Sequence, residues 1–229
     1  MDKKADDVKK FIDEQVKKLE RIRIEADKDK KVRIPIITIS MEPGSGGSVV
    51  AQNVAKRLGL DFFHREIVHE IAESGKLPKE DLLAMEKERL VGIQDFISSL
   101  ISDRYLWPGL YLEHLTKVVE AISKRGNAVI VGRGASFILS SEKCLSVRIV
   151  APLEIRVQNI VRSFGATPEN ARKRVINRES KRRTFVKRSF NADIADSHNY
   201  DLVISSERLS IEALEDVVTL FYLRKFFSD

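Results

Sequence analysis

Apolar residues along the chain follow two alternating periods, one typical of strands and one typical of helices. Runs of β-branched residues, apolar on both faces, predict buried strands at 36–39, at the start of 127–139, at 145–150 and at 200–206, with a shorter extended piece at 60–63. Helical spacing lies between them, at 48–58, over most of 77–123, at 153–164, from Thr167 to 190 and after Ser210. Alternation of this kind predicts right-handed βαβ units, and therefore a three-layer α/β fold with a parallel sheet between two layers of helices.

The first 33 residues differ from the rest, because their helical apolar stripe is narrow and the other faces are charged. This pattern predicts a charged N-terminal helix and linker at 1–33, ahead of one domain at 34–229. A narrow stripe suits a helix that lies on the surface of that domain. It also suits a helix that pairs two chains into a homodimer, and the sequence leaves both interpretations open.

The charge is unevenly placed along the chain, which narrows the class of partner. The net charge is +6 and the pI is near 9.3, and nine basic residues against one acid fall between positions 172 and 188. An anionic partner such as a nucleotide or a nucleic acid fits this balance.

No apolar run approaches the roughly 20 residues that cross a bilayer, and a single cysteine, Cys144, suits a reducing compartment. We therefore expect a cytoplasmic protein that does not enter a membrane.

A glycine-rich turn joins the first strand to the first helix, in the layout of a phosphate-binding loop. On the template G-x-x-x-x-G-K-[ST], Gly46 and Ser48 fit, whereas Met41 replaces the first glycine and Gly47 replaces the lysine. Backbone N–H groups in such a turn, together with the helix dipole, attract anions. The residues that would form this anion cradle are Gly44, Ser45, Gly46 and Gly47, and Ser48 stands where a magnesium-ligating hydroxyl usually stands. Without the lysine, a flexible turn with no ligand remains an equal alternative.

Two groups of arginines are further candidates for binding phosphate. Arg133 lies between two glycines at the end of the second strand, and ligands of open α/β sheets bind at that edge. Arg174, Arg178 and Arg182 are spaced four apart, so they share one helical face that could neutralise a transferring phosphoryl group. A solvated basic helix is the plainer interpretation of this run. Nucleic-acid binding is disfavoured because stacking aromatic residues are scarce in the run.

Five segments in order resemble the cytidylate kinase-like family. They read ITISMEPGSGGSVVAQNVAKRLGLDFF, AVIVGRGASFIL, SVRIVAPLEIRVQNIV, RESKRRTFVKRSF and YDLVISSERLSIEAL. The resemblance covers residues 34–226 and includes the lysine-free loop. It implies the P-loop fold of nucleoside monophosphate kinases, with a helical NMP-binding insertion at 61–125 and an arginine-rich LID at 164–193. The implied reaction is transfer of the γ-phosphoryl group of ATP to CMP or dCMP with Mg²⁺.

The resemblance also implies roles for single residues. The ATP phosphates would lie on Gly44, Ser45, Gly46, Gly47, Ser48 and Val49, with Ser48 as a ligand of Mg²⁺. Arg133 would bind the monophosphate, Arg178 and Arg182 would contact the transferring group, Glu179 and His64 would contact the acceptor, and Arg156 would be an arginine beside the LID.

Three positions depart from the family pattern. Met41 stands where many members have an arginine, His64 stands where an aspartate is usual, and Glu179 replaces an aspartate. Met41 and His64, together with Gly47 in place of the lysine, favour a second hypothesis, a nucleotide-binding protein with little or no kinase activity that regulates or binds a partner.

Overall fold

The computed structural model describes residues 35–64 and 108–227, together with Lys10, Ile12, Glu14, Val16 and Lys17 in the N-terminal helix. In chain order the elements are β1 (Ile36–Met41), α1 (Gly47–Leu58), β2 (Asp61–Phe63), α2 (Pro108–Arg125), β3 (Ala128–Val131), α3 (Ala135–Ile138), β4 (Cys144–Val150), α4 (Leu153–Phe164), α5 (Pro168–Phe190), a 3₁₀ turn (Ser197–Asn199), β5 (Leu202–Ser205) and α6 (Ile211–Phe227). Most of the predicted NMP-binding insertion, residues 65–107, lies outside the described residues.

The five strands form one parallel sheet in the order β2-β3-β1-β4-β5. This arrangement confirms the predicted α/β fold. From β1 the chain runs to β2 and β3 on one side of the sheet and returns to β4 and β5 on the other. The order therefore reverses beside β1, and the loops that follow β1 and β3 open at the same edge, where ligands of such sheets bind.

The local signals in the sequence end the helices as expected. Gly59 closes α1 in the left-handed conformation, and its N–H bonds to the carbonyls of Ala55 and Lys56. Thr167 caps α5 through a hydrogen bond from the N–H of Asn170, and Pro168 occupies the first turn. None of the helices that the structure describes is long and apolar enough to cross a membrane.

One face of the sheet packs against α1 and α6 in a continuous apolar core. Its buried members include Ile37, Ile39, Val147 and Tyr222. Ile12 of the N-terminal helix is fully buried in the same core, and Val16 packs against it. At least part of the predicted segment 1–33 is therefore covered by its own domain, whereas pairing of two chains stays a prediction.

The other face of the sheet differs from the predicted pattern, because its central part is polar. We expected β1 to be apolar on both faces. Instead Thr38 and Ser40 on β1, with Ser146 and Arg148 on β4, are all buried. Ser40 pairs with Arg148, and Thr38 with Ser146, so the four side chains form one polar row. Since buried polar groups are costly unless they are bonded, this row marks the face where a site is expected.

Candidate active site

The loop between β1 and α1 is held in shape by hydrogen bonds from three separate segments. The Ser45 N–H donates to the Glu42 carbonyl at 3.1 Å. The Ser206 hydroxyl donates to the carbonyl of Ser45 at 2.8 Å, and the Asn159 amide donates to that of Gly44 at 2.9 Å. A Cβ on Gly44 would lie 2.5 Å from the carbonyl oxygen of Arg156, so only glycine fits there. The loop is therefore built and fixed, which argues against a flexible turn.

The start of α1 leaves donors free for an anion. Gly46 caps the helix in the left-handed conformation without a side-chain hydrogen bond, and the first turn holds no acid. The N–H groups of Gly47 and Ser48 have no intrahelical acceptor, because they lie in the first turn. The hydroxyl of Ser45 is buried and has no partner among the described residues, while Val49 is half exposed. These donors fit the phosphates of a nucleotide.

Met41 and Gly47, the two departures from the phosphate-loop template, are in contact with each other. A Cβ on Gly47 would lie 2.8 Å from the Cβ of Met41 and 3.3 Å from that of Ile149. The Met41 side chain therefore occupies the space into which a lysine at position 47 would have to begin. The missing lysine is a packing feature of this loop rather than an isolated loss.

A cation reaches the loop from α5 instead. Arg182 donates to the carbonyl oxygen of Met41 at 2.6 Å. Burial, together with the neighbouring charges of Arg133 and Arg148, lowers the pKa of Arg182 to about 10. Arg178 lies one turn earlier on the same helix and is half-buried. The guanidinium groups of Arg133, Arg148 and Arg182 thus lie close together in a partly desolvated region. This arrangement favours an anionic ligand.

Arg133 adopts a backbone conformation that L-residues seldom take. Its φ is +59°, between Gly132 at +71° and Gly134 at +69°. A Cβ on Gly134 would lie 2.4 Å from the ring of Phe190, so this contact and the positive φ together favour glycine there. The Nε of Arg133 is buried and has no partner among the described residues. Strain of this kind, next to an unpaired donor, is typical of functional sites.

Glu179 and Arg156 pair with each other rather than standing separately. An Arg156 N–H donates to the Glu179 carboxylate at 2.8 Å, and Arg156 Nε donates to the Ala151 carbonyl at 2.9 Å. Arg156 also lies 3.5 Å from the Glu42 carboxylate of the loop. This chain of contacts joins α5 to the loop, so the described contact of Glu179 is with Arg156.

A cavity of about 70 Å³ brings three of the sequence-predicted residues together. His64, Arg133 and Arg182 line it, above Thr38 and Ser40 of the polar row. Apolar walls complete it, among them Phe137, Phe185 and Ile194. In the described part of the chain no acidic side chain lines the cavity, so its lining fits an anion with an apolar neighbour.

Among the described residues, no group of three or more His, Cys, Asp and Glu side chains could hold a metal ion. Ser48 lies in the first turn of α1, and its side chain is partly exposed. Since Mg²⁺ keeps much of its water and binds largely through substrate phosphates, one hydroxyl is compatible with a metal that arrives with a nucleotide.

Sequence reasoning missed Glu42 and Arg148. The Glu42 carboxylate accepts from the Ala151 N–H at 3.0 Å and lies 3.8 Å from Arg148, whose guanidinium donates to the Ser40 hydroxyl at 3.0 Å. One signal was present, because Arg148 interrupts an otherwise apolar strand. Its partners Ser40 and Glu42 lie more than a hundred positions away, so spacing could not have found them.

Comparisons with known proteins identify a family. The model of the cytidylate kinase-like family matches residues 36–208. A cytidylate kinase of Methanopyrus kandleri is 29% identical over 184 residues, covering 76% of this chain and 86% of that protein. A cytidylate kinase of Methanocaldococcus jannaschii is 27% identical, covering 80% and 95%.

Solved structures share the fold at low sequence identity. An uncharacterized protein from Eubacterium ventriosum superposes with a TM-score of 0.62 at 19% identity, covering 83% of this chain and 98% of that one. A protein from Thermus thermophilus superposes with a TM-score of 0.50 at 18% identity, covering 86% and 100%.

Proposed function

The chain belongs to the cytidylate kinase-like family, and on that premise we propose that it transfers the γ-phosphoryl group of ATP to CMP or dCMP. The observation that carries this proposal is the position of Arg133 and Arg182 on one cavity beside the phosphate loop. Phosphoryl transfer depends mainly on positioning and on stabilising charge, so converging donors and guanidinium groups are what the reaction needs.

The loop at 44–49 would hold the phosphates of ATP. The N–H groups of Gly47 and Ser48, which have no acceptor within the helix, and the buried hydroxyl of Ser45 would donate to them, as the charge of a triphosphate requires. Mg²⁺ bound with ATP would neutralise charge on the β- and γ-phosphates, with the Ser48 hydroxyl as its ligand from the protein. The 70 Å³ cavity would take the phosphate of the acceptor.

The reaction needs no general base from the protein. A monophosphate is largely dianionic at neutral pH, since its second pKa is about 6. One of its oxygens attacks the γ-phosphorus, the bond from that phosphorus to the β–γ bridging oxygen breaks, and ADP leaves with the electron pair. Arg133 would hold the attacking phosphate, and Arg182 would stabilise the charge on the transferring group.

The remaining predicted residues would support these two arginines. Arg178 adds a positive charge one turn from Arg182, and His64 lines the acceptor cavity. Glu179 would act through Arg156, which it binds at 2.8 Å. In this scheme the cation beside the loop comes from α5, because Met41 fills the space that a lysine at position 47 would need.

Acceptor-dependent release of ADP tests the proposal. Purified protein with ATP and Mg²⁺ is mixed in turn with CMP, dCMP, UMP and AMP, and ADP is followed in a coupled assay. We expect release that requires CMP or dCMP and saturates with the acceptor. Tight binding of ATP without acceptor-dependent release would contradict the proposal and support a nucleotide-binding protein without kinase activity.

A further inference from the structure

Arg148 is a buried charge on a central strand, outside the residues that line the cavity. It is 4% exposed and lies in the polar row beside Ser40. A charged group in the middle of a sheet is costly to bury unless its partners compensate for the loss of water. The described structure gives it three: the Ser40 hydroxyl at 3.0 Å, the Glu42 carboxylate at 3.8 Å and the ring of Tyr200, whose centre lies 5.6 Å away.

Glu42 is the residue through which Arg148 reaches the loop. The Glu42 N–H donates to the Ile149 carbonyl at 3.0 Å, and its own carbonyl accepts from Ser45. Its carboxylate accepts from the Ala151 N–H and lies between the guanidinium groups of Arg148 and Arg156. The first residue after β1 is therefore fixed on its backbone and its side chain, and that residue sets the direction in which the loop begins.

The charges around the loop do not cancel. Four guanidinium groups, those of Arg133, Arg148, Arg156 and Arg182, stand near two carboxylates, those of Glu42 and Glu179. Both carboxylates pair with Arg156, and Glu42 also pairs with Arg148, so Arg133 and Arg182 supply the excess of two positive charges. Without Arg148, the Glu42 carboxylate would keep only Arg156 as an ion-pair partner. The electrostatic field at Arg182 would also change.

We propose that Arg148 is a positioning residue for phosphoryl transfer, which through Glu42 holds the phosphate loop in the shape that receives the nucleotide. The inference rests on the proposed function for its role in turnover, but its effect on nucleotide binding does not need turnover. We place Arg148 outside contact with the ligand, since its side chain is buried and is not among the residues that line the cavity. Its loss is expected to weaken the binding of ATP more than the binding of the acceptor, whose phosphate Arg133 would hold.

The test compares Arg148→Met and Arg148→Lys with Arg57→Met, a control on α1 whose guanidinium pairs with Asp216 on the opposite face of the sheet. Calorimetry gives the Kd of ATP, and steady-state assays give KM for each substrate. For Arg148→Met we expect the Kd and KM of ATP to rise about tenfold or more, with the acceptor KM within about threefold. Arg148→Lys keeps the positive charge but loses the forked guanidinium donors, so its Kd and KM for ATP should lie between those of the wild type and those of Arg148→Met.

The outcomes separate a positioning role from a merely structural one. A folded Arg148→Met with unchanged affinity for ATP, or with equal losses for both substrates, overturns the proposal. Arg57→Met should lose stability without changing either KM. If Arg148→Met does not fold, Glu42→Gln should weaken ATP binding as Arg148→Lys does, and the two changes together should not add, because they act through one contact. Additive losses would overturn the proposal.

Failure of the proposed function would be recognised separately. A wild-type protein without turnover contradicts the kinase assignment, whereas the ratio of ATP Kd values between Arg148→Met and wild type tests Arg148 regardless.

Discussion

At the scale of single residues, Arg133 combines an unusual backbone with an unpaired side chain. Its φ of +59° has an energetic cost for an L-residue, and its Nε finds no partner among the described residues. A cost of this kind is tolerated where a ligand recovers it. The acceptor phosphate is the ligand that the proposed function would supply.

Replacing Arg133 by alanine should therefore damage catalysis much more than folding. We expect kcat/KM for the acceptor to fall about 100-fold or more, because a charge-assisted contact to the attacking phosphate is lost. The urea midpoint should change little. Steady-state kinetics with CMP measure kcat/KM, and urea denaturation measures the midpoint. Arg224→Ala, which changes an exposed arginine on α6, is the control. An unchanged kcat/KM would remove Arg133 from the acceptor site.

Cys144 gives the stability a pH dependence that its substitution should remove. Burial raises the pKa of its thiol from 9.0 to about 11. A thiol that stays protonated in the folded protein but ionises in the unfolded chain stabilises the fold fully below pH 9, and that contribution is lost as the pH rises towards 11. Between pH 8 and pH 10.5 the loss should be about 2 kcal/mol, at roughly 1.4 kcal/mol per pH unit.

Urea denaturation of the wild type and of Cys144→Ala at both pH values measures this difference. The wild type should lose more stability than the variant on going to pH 10.5. If both proteins lose the same free energy of unfolding between the two pH values, groups other than Cys144 determine the loss of stability at alkaline pH.

Residue roles were predictable where the signal is local. The glycines around Arg133 mark a tight turn at a strand end, and that turn was found from the sequence. Glu42 and Arg148 were missed because a buried charge has meaning only through its partners, and those partners meet only when β1 and β4 pair. The pairing of Glu179 with Arg156 was missed for the same reason, since it joins two helices.

At the scale of elements, the phosphate loop and the two ends it joins act as one packed unit. Gly47 is buried in the first turn of α1, against the side chain of Met41 at the end of β1. A lysine at position 47 therefore adds a clash as well as a charge.

Gly47→Lys is expected to destabilise the protein by about 1–3 kcal/mol, as overpacking usually does, without raising activity. The double change Met41→Gly with Gly47→Lys should recover part of that loss, because it removes the Met41 Cβ that lies 2.8 Å from the lysine Cβ. Urea denaturation of the three variants gives the coupling between the two positions. A single Gly47→Lys variant that is both stable and more active would contradict this account of the loop.

Elements were predicted better than the faces they present. The strands, the Thr167 cap of α5 and the Gly59 end of α1 follow from local periodicity and turn residues, which act over a few positions. The polar row across β1 and β4 does not, because Thr38 and Ser40 look like ordinary strand residues until Arg148 lies beside them.

At the scale of the whole molecule, the N-terminal helix is connected to the main core. Ile12 is fully buried among residues of the layer formed by α1 and α6. Ile12→Ala should cost about 2–5 kcal/mol, the usual range for a large-to-small change in a core. Lys17→Ala, an exposed neighbour, should cost less than about 0.5 kcal/mol.

Both variants are compared in stability, and Ile12→Ala is also used to test the predicted homodimer. Urea denaturation gives the stabilities, and sedimentation of the wild type and of Ile12→Ala gives the oligomeric state. A neutral Ile12→Ala would show that this helix is not part of the folded core.

Met41 and Gly47 also constrain how this sequence can change over generations. Shortening Met41 alone opens a void beside Gly47, and enlarging Gly47 alone collides with Met41, so each single step costs stability. A lysine at position 47 therefore requires a second change that removes the Cβ at position 41, as glycine does. The two positions are therefore expected to vary together among relatives, because a lysine at position 47 needs a residue at position 41 that leaves room for its Cβ.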